Sequence, residues 1–125
     1  MAGLKDLIGE ARRTARETRP QEVDEGALVL DVREPGEFAK GHIAGAQNVP
    51  RGMLELRAAP DSPVADPELT ERRDDPIFVY CTKSPSARSL FAAQTLAALG
   101  YENVSVIEGG LNAWAEAGLP TEADA

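Results

Sequence analysis

Residues 76–99 have the sequence Pro76-Ile-Phe-Val-Tyr-Cys81-Thr-Lys-Ser-Pro-Ser-Ala-Arg88-Ser-Leu-Phe-Ala-Ala-Gln-Thr-Leu-Ala-Ala-Leu99. The apolar run from Ile77 to Tyr80 is rich in β-branched and aromatic residues, which is typical of a buried parallel strand. The alanine- and leucine-rich segment from Ser86 to Leu99, followed by a glycine, predicts a helix. We therefore expect a strand, a short polar loop and a helix, with Cys81 as the first residue of the loop.

Cys81 lies where a nucleophilic sulfur is favoured. A loop that enters a helix presents backbone N–H groups, and the N-terminus of the helix carries roughly half a positive charge. Lys83 and Arg88 add two full positive charges nearby. Because all of these groups stabilise a thiolate, the pattern favours a reactive thiol. The alternative is a cysteine that packs as a small apolar residue.

The composition narrows the classes of protein that need to be considered. The 125 residues suffice for one domain with its own core. The net charge of −8, from 21 acidic and 13 basic residues, argues against a nucleic-acid binder. One cysteine excludes an intrachain disulfide and, with one histidine, argues against a zinc site. Since no apolar segment could cross a membrane and residues 1–20 lack the apolar core of a signal peptide, we expect a cytoplasmic protein without a membrane partner.

The N-terminal segment has the pattern of an amphipathic helix. Apolar side chains recur at helical spacing within residues 3–18, at Leu4, Leu7, Ile8, Ala11 and Ala15. Four arginines lie mostly off that stripe, namely Arg12, Arg13, Arg16 and Arg19. We interpret residues 1–19 as a helical extension that packs on the domain. The alternative is a docking helix for a partner, because these arginines cluster in an otherwise acidic chain.

The rest of the chain alternates strands with helices. We expect strands at residues 27–32, 47–49 and 104–107, and short helices at residues 35–40, 53–57 and 111–117. Residues 20–25 are expected to form one helical turn, and residues 58–76 a long surface connector. The last helix carries Trp114, which we place in the core. Strands that alternate with helices indicate an α/β fold with a mostly parallel sheet covered by helices.

Polar residues follow two of these strands. Asp31 and Arg33 lie at the C-terminal end of the first strand, at the edge where α/β sheets build their sites. Arg51 lies just beyond the second strand and is a candidate for the rim of a pocket. We interpret His42, the only histidine, as a hydrogen-bonded structural residue rather than a base.

Three separated segments resemble the rhodanese (thiosulfate sulfurtransferase) family. The first is Leu30-Asp-Val-Arg-Glu-Pro-Gly-Glu-Phe-Ala-Lys-Gly-His-Ile-Ala-Gly-Ala-Gln-Asn-Val-Pro50, which is similar to DVREPxEFxxGHIPGAxNIP, with Ala44 in place of the usual proline. The second is the unit of strand, Cys81, loop, Arg88-Ser89 and helix. The third is Glu108-Gly-Gly-Leu-Asn-Ala-Trp-Ala-Glu-Ala-Gly-Leu-Pro120, which is similar to GGxxAWxxAGLP. Together they place a rhodanese domain at residues 20–120 and leave residues 121–125 as a tail.

The resemblance implies both a fold and a reaction. The fold is a single α/β domain with a mostly parallel five-stranded sheet and helices on both faces. The reaction is sulfur transfer without metal or organic cofactor. Cys81 takes the outer sulfur of a small anionic donor such as thiosulfate, releases sulfite and holds the sulfur as a persulfide. A thiol, cyanide or a sulfur-carrier protein then accepts the sulfur.

The resemblance also suggests roles for the residues around the cysteine. Lys83 resembles the lysine of CRKG loops, which meets the donor's sulfonate, and Arg88 either lines the loop or braces it from the helix. We expect the backbone of residues 82–87 to bind the anion, and count Thr82, Ser84 and Ser86 among the substrate-binding residues with Arg51 at the rim. Three further residues are expected to support the loop, namely Asp31, Arg33 and His42.

The loop departs from the family's short form. In CxxGxR the arginine follows the cysteine by five positions, whereas Arg88 follows Cys81 by seven and the usual glycine is absent. Ser84 and Pro85 have the preferences of an N-cap and a first helical residue, so the helix could begin there. Relatives with a CxxxxxR loop are phosphatases or arsenate reductases, and the six residues between Cys81 and Arg88 match neither pattern. We favour a sulfurtransferase over these enzymes, and keep as an alternative a sulfur carrier loaded by a partner protein.

Overall fold

A five-stranded sheet forms the centre of the computed structural model, which describes residues 2–124. The helices are α1 (Leu4–Thr14), α2 (Pro35–Lys40), α3 (Leu54–Ala58), α4 (Pro67–Thr70), α5 (Ala87–Ala98) and α6 (Gly110–Glu116). The strands are β1 (Arg16–Thr18), β2 (Leu28–Asp31), β3 (His42–Ile43), β4 (Gln47–Asn48), β5 (Ile77–Tyr80), β6 (Val104–Ile107) and β7 (Thr121–Glu122). The sheet has the order β1-β6-β5-β2-β4 with every pair parallel, and β3 pairs with β7 in a separate antiparallel ribbon.

Successive side chains of each strand point to opposite faces of the sheet, so the core consists of two layers. Ile77 and Val79 of β5 pack on one face, with the buried side chains of α5 and with residues of α1, α3 and α4. Phe78 and Tyr80 pack on the other face, against Trp114 of α6. Helices therefore cover both faces of a parallel sheet, which confirms the predicted fold class. Cys81, the next residue of the alternation, belongs to the layer of α5.

The N-terminal segment differs from the continuous helix predicted for it. Helix α1 ends at Thr14, and the following Ala15 has extended backbone angles of φ −84° and ψ 139°. Residues 16–18 then form β1, in register with Ser105 to Ile107 of β6. The helix predicted over residues 16–18 is therefore wrong. The edge of β6 offers backbone hydrogen bonds that outweigh the local helical pattern. Met1 lies outside the described residues.

The other predicted elements agree with the structure to within a few residues. Strands β2, β4, β5 and β6 and helices α2, α3 and α6 all occur in the predicted order, and residues Pro20–Glu22 form the expected helical turn. Trp114 is buried, and its indole Nε1 donates a hydrogen bond to the Pro120 carbonyl at 2.8 Å. The long connector contains α4, which was not predicted. None of the helices within residues 2–124 is both long and apolar enough to cross a membrane.

The end of the chain forms a strand where we expected a tail. Strand β7 pairs with β3, and the Glu122 carboxylate accepts a hydrogen bond from the Gly45 N–H at 3.0 Å. That hydrogen bond, followed by the contact with His42, lowers the pKa of the Glu122 carboxyl. Ala125, the last residue of the expected tail, lies outside the described residues.

Candidate active site

Cys81 is placed by the end of β5 at the base of the loop that leads into α5. Its side chain is only 3% exposed and packs in the core layer beside α5. Residues 81–88 line a cavity of about 220 Å³ that opens to solvent. The loop therefore surrounds the sulfur and leaves one approach to it.

Helix α6 holds the first two peptide groups of the loop. The Leu111 N–H donates to the Cys81 carbonyl at 2.9 Å, and the Asn112 N–H donates to the Thr82 carbonyl at 3.0 Å. The C=O and N–H of a trans peptide point in opposite directions. Since both carbonyls face α6, the N–H groups of Thr82 and Lys83 face away from α6.

Gly110 makes this contact possible. Its φ of 57° is left-handed, and a Cβ at this position would lie 2.4 Å from the Cys81 carbonyl oxygen. Only glycine combines that conformation with so close an approach of two backbones. The third sequence segment thus contacts the loop through Gly110, a role that was not predicted from the sequence.

Most of the loop amides are available to an anion. Within the described part of the chain no acceptor is found for five backbone N–H groups, those of Thr82, Lys83, Ser84, Ala87 and Arg88. Two positions of the expected anion-binding backbone do not contribute. Pro85 has no N–H, and the Ser86 N–H donates to the Lys83 carbonyl at 2.8 Å. The predicted ring of donors is therefore interrupted at these two residues.

Ser86, rather than Ser84, is the residue that precedes the helix. It has a left-handed conformation with φ 61° and ψ 32°, and its carbonyl accepts a hydrogen bond from the Leu90 N–H at 2.9 Å. The prediction that Ser84 and Pro85 start the helix is therefore wrong. Ser84 and Pro85 instead occupy the two central positions of a turn closed by the hydrogen bond between Lys83 and Ser86.

Ser89 contacts the sulfur, although it was not among the predicted substrate-binding or loop-supporting residues. Its Oγ is 3.4 Å from Cys81 Sγ and donates to the Ser86 carbonyl at 2.9 Å. The side chain is fully buried. A hydroxyl can rotate its single proton toward a thiolate, so Ser89 can stabilise the ionised sulfur. The sequence does carry a signal for this contact. Ser89 follows Ser86 by three positions and lies on the otherwise apolar buried face of its helix.

Arg88 lines the cavity and also braces the loop. Its Nη1 contacts both Glu37 carboxylate oxygens, at 2.9 and 3.2 Å, and its Nη2 donates to Thr82 Oγ1 at 3.3 Å. Glu37 belongs to α2, so the first sequence segment is tied to the second through this pair. Lys83 is exposed, lines the same cavity and has no carboxylate of the described residues within 4.0 Å. Its ammonium is therefore the cation of the loop that is left for a ligand.

Comparison with known sequences identifies the family. The model of the rhodanese-like domain matches residues 15–117. The chain belongs to the rhodanese-like domain family. The match includes β1, in agreement with the place of that strand in the sheet.

Two curated relatives cover most of this rhodanese-like domain. Thiosulfate sulfurtransferase 16, a chloroplastic protein of Arabidopsis thaliana, is 40% identical over 101 residues, which are 78% of this chain and 82% of that protein. The uncharacterized protein YqhL of Bacillus subtilis is 39% identical over 88 residues, which are 70% of this chain. The matched part spans 60% of YqhL.

A solved structure matches nearly the whole chain. It belongs to a protein of unknown function from Rhodopseudomonas palustris, described as a possible tyrosine phosphatase. The TM-score is 0.87 at 32% sequence identity, and the alignment covers 98% of this chain and 96% of that one.

Among the described residues of the rhodanese-like domain, Asp31 and Arg33 form no hydrogen bond or ion pair with the loop. Both are buried and form an ion pair, with Arg33 Nη2 2.8 Å from Asp31 Oδ2, and Arg33 also donates to the Gly41 carbonyl at 2.7 Å. Burial opposes the charge, but the hydrogen bond and charge of Asp31 outweigh it and raise the pKa of Arg33. The guanidinium lies 5.8 Å from the centre of the Tyr80 ring. The pair is thus connected to the loop through Tyr80, the neighbour of Cys81.

Tyr80 is held firmly by this pair and by β3. Its Oη accepts a hydrogen bond from the Ile43 N–H at 3.0 Å. Burial, followed by the hydrogen bond and charge of Asp31, raises the pKa of Tyr80 well above its ordinary value. The neutral phenol therefore anchors the end of β5, directly before Cys81.

Arg51 and His42 lie away from the loop. Arg51 donates to Glu55 at 3.0 Å and to Thr95 in the middle of α5 at 2.9 Å, and it does not line the cavity of Cys81. The structure therefore gives no support to its place at the rim. His42 is buried, with Nδ1 2.7 Å from the Phe38 carbonyl. His42 is thus hydrogen-bonded, as expected, and its contacts with Phe38 and Glu122 join α2 to β7.

Proposed function

We propose that this rhodanese-like domain is a sulfurtransferase that carries sulfane sulfur as a persulfide on Cys81. The donor is thiosulfate or another sulfane-sulfur compound, and the acceptor is a thiol, cyanide or a sulfur-carrier protein. One observation carries the proposal: the only cysteine lies at the base of a cavity bordered by loop amides for which residues 2–124 provide no acceptor. The name of the Arabidopsis relative agrees with this chemistry.

The geometry suits each step of the transfer. The Cys81 thiolate attacks the outer sulfur of thiosulfate, an S–S bond forms on the protein, and sulfite leaves with the electron pair of the broken bond. The persulfide keeps its negative charge, which the loop amides and the N-terminus of α5 stabilise. An acceptor thiolate then attacks the outer sulfur, and the Cys81 thiolate leaves. The cycle needs no group beyond donor and acceptor.

The direct test is the mass of the intact protein after incubation with thiosulfate. We expect a gain of one sulfur atom, located at Cys81 by peptide mapping and removed by cyanide. Steady-state assays should include thiosulfate with cyanide, an aryl phosphate and arsenate. Absence of the added sulfur, together with faster aryl-phosphate hydrolysis than sulfur transfer, would contradict the proposal. A gain of sulfur only from a partner protein's persulfide would indicate a carrier.

Lys83 is the residue that we expect to bind the sulfonate of thiosulfate. Lys83→Ala should raise KM for thiosulfate about five- to hundredfold, because one charge-assisted contact is lost. Transfer from a donor without a sulfonate should change much less. Lys40→Ala, which removes an exposed lysine of α2, is the matched control. An unchanged KM in Lys83→Ala would remove this role from the lysine.

An oxyanion enzyme is the second candidate, because a solved structure that matches nearly the whole chain is described as a possible tyrosine phosphatase. Such enzymes clamp a phosphate or arsenate with the arginine that ends the loop. Here the Arg88 guanidinium already contacts both oxygens of Glu37, and the Ser86 N–H is used within the turn. Both features favour a sulfurtransferase. The aryl-phosphate and arsenate assays above separate the two candidates.

A further inference from the structure

Arg12 of α1 reaches the loop of Cys81 from a distant part of the chain. Its Nη2 donates to the Pro85 carbonyl at 2.9 Å, across a sequence separation of 73 residues. The neighbouring Ala11 is fully buried in the core layer beside α5, so the backbone of Arg12 is fixed relative to that helix. The first helix therefore contacts the loop of Cys81 in addition to covering the sheet.

The accepting carbonyl belongs to the turn between Lys83 and Ser86, in the middle of the loop. The hydrogen bond from the Ser86 N–H to the Lys83 carbonyl closes Ser84 and Pro85 into a turn. Those two residues are exposed, and the Pro85 carbonyl ends at the guanidinium of Arg12. A carbonyl held by a charged donor cannot turn its negative end toward the anion in the cavity.

Glu17 also lies near the Arg12 guanidinium. Its Oε1 lies 3.8 Å from Arg12 Nε, and Glu17 belongs to β1 in the main sheet. Arg12 and Glu17 also line a groove of about 380 Å³ together with Ser84 and Ser86. Because Ser84 and Ser86 line the cavity of Cys81 as well, Arg12 supports the wall that separates the two spaces.

We propose that Arg12 is a positioning residue of the sulfur-transfer site. It holds the turn from Lys83 to Ser86, so that Lys83 and the loop amides keep their places around Cys81. The proposal deepens the function proposed above and rests on it for the identity of the anion. The placement of the loop itself is independent of the donor.

The test compares Arg12→Gln with Arg13→Gln, an equal change of charge one residue further along α1. Arg13 is exposed and paired with Glu10 on its own helix. For Arg12→Gln we expect iodoacetamide to alkylate Cys81 about three- to tenfold more slowly at neutral pH, and KM for thiosulfate to rise by a similar factor. Arg13→Gln should change both by less than about twofold, in keeping with an exposed pair. Arg12→Lys should recover part of the loss, because an ammonium also donates to the carbonyl.

A variant that lacks Ser84 and Pro85 completes a double-mutant cycle with Arg12→Gln. Without the accepting carbonyl, adding Arg12→Gln should have no further effect on alkylation. Equal effects of Arg12→Gln and Arg13→Gln, or an undiminished effect of Arg12→Gln in the shortened loop, would overturn the proposal. If the variant with the shortened loop does not fold, the comparison of Arg12→Gln with Arg13→Gln is sufficient to test the positioning role of Arg12. Alkylation is measured without any sulfur donor, so its outcome stands apart from the mass test of the proposed function on the wild type.

Discussion

Cys81→Ser is expected to lower sulfur transfer by more than about a thousandfold, the scale seen when an enzyme loses its nucleophile. A serine hydroxyl is not ionised at neutral pH and cannot hold the transferred sulfur as a persulfide. The fold should survive because the two side chains are almost equal in size. The new hydroxyl would lie near Ser89 Oγ, which is now 3.4 Å from the sulfur, so that it is not left without a partner.

Three measurements on purified Cys81→Ser check this result. Intact mass after incubation with thiosulfate should show no added sulfur, the steady-state rate should fall to background, and the thermal unfolding temperature should change little. Cys81→Ala should be equally inactive. Transfer near the wild-type rate in either variant would remove Cys81 from the reaction. A rate retained by Cys81→Ser but lost in Cys81→Ala would point to an oxygen nucleophile and to different chemistry.

Gly110→Ala is expected to destabilise the protein by about 2–5 kcal/mol, the sum of a left-handed conformation for an L-residue and a steric overlap in the core. The new Cβ would lie 2.4 Å from the Cys81 carbonyl oxygen and 2.9 Å from two backbone carbons of Cys81 and Thr82. These are backbone atoms, so no side chain can rotate to make room. The first peptide of the loop has to move, and sulfur transfer should fall together with stability.

Gly118→Ala separates the cost of the left-handed conformation from the cost of the steric overlap. Gly118 has a left-handed φ of 76°, but a Cβ there would meet nothing within 4 Å. Gly118→Ala should lower the free energy of unfolding by about 1–2 kcal/mol and leave sulfur transfer unchanged in the folded protein. Urea unfolding gives both free energies. Equal losses in the two variants, with full activity in Gly110→Ala, would show that the close approach of α6 to the loop is unimportant.

The sheet could be predicted from sequence because its central strands are short apolar runs. Strands β2, β5 and β6 are buried on both faces, so each can be recognised as a continuous apolar run without knowledge of the strands it pairs with. Strand β1 could not be predicted in this way, because its residues continue a helical pattern and become extended only to satisfy the edge of β6. For the same reason β7 depends on β3, which lies far away along the chain. Local periodicity carries no information about such distant partners.

The site was predictable where it is contiguous in sequence. Cys81, Lys83 and Arg88 line one cavity, as their spacing after a strand suggested. The partners that shape the loop come from other segments, as Glu37 and Gly110 do, and no spacing within the loop points to them. Arg51, in contrast, was predicted at the rim from its place after a strand but does not line the cavity. It follows a strand, but the helical turn Arg51–Met53 leads its side chain to the middle of α5.

The lengths of the two outer strands have a consequence for the behaviour of the protein at high concentration. Strand β1 has three residues and strand β4 has two, and β1 also carries the charged side chains of Arg16 and Glu17. A long, flat outer strand would offer a row of unpaired backbone groups to another molecule and promote aggregation. Both borders of this sheet are too short to serve as such a template, so we expect the folded protein to resist edge-to-edge association when concentrated.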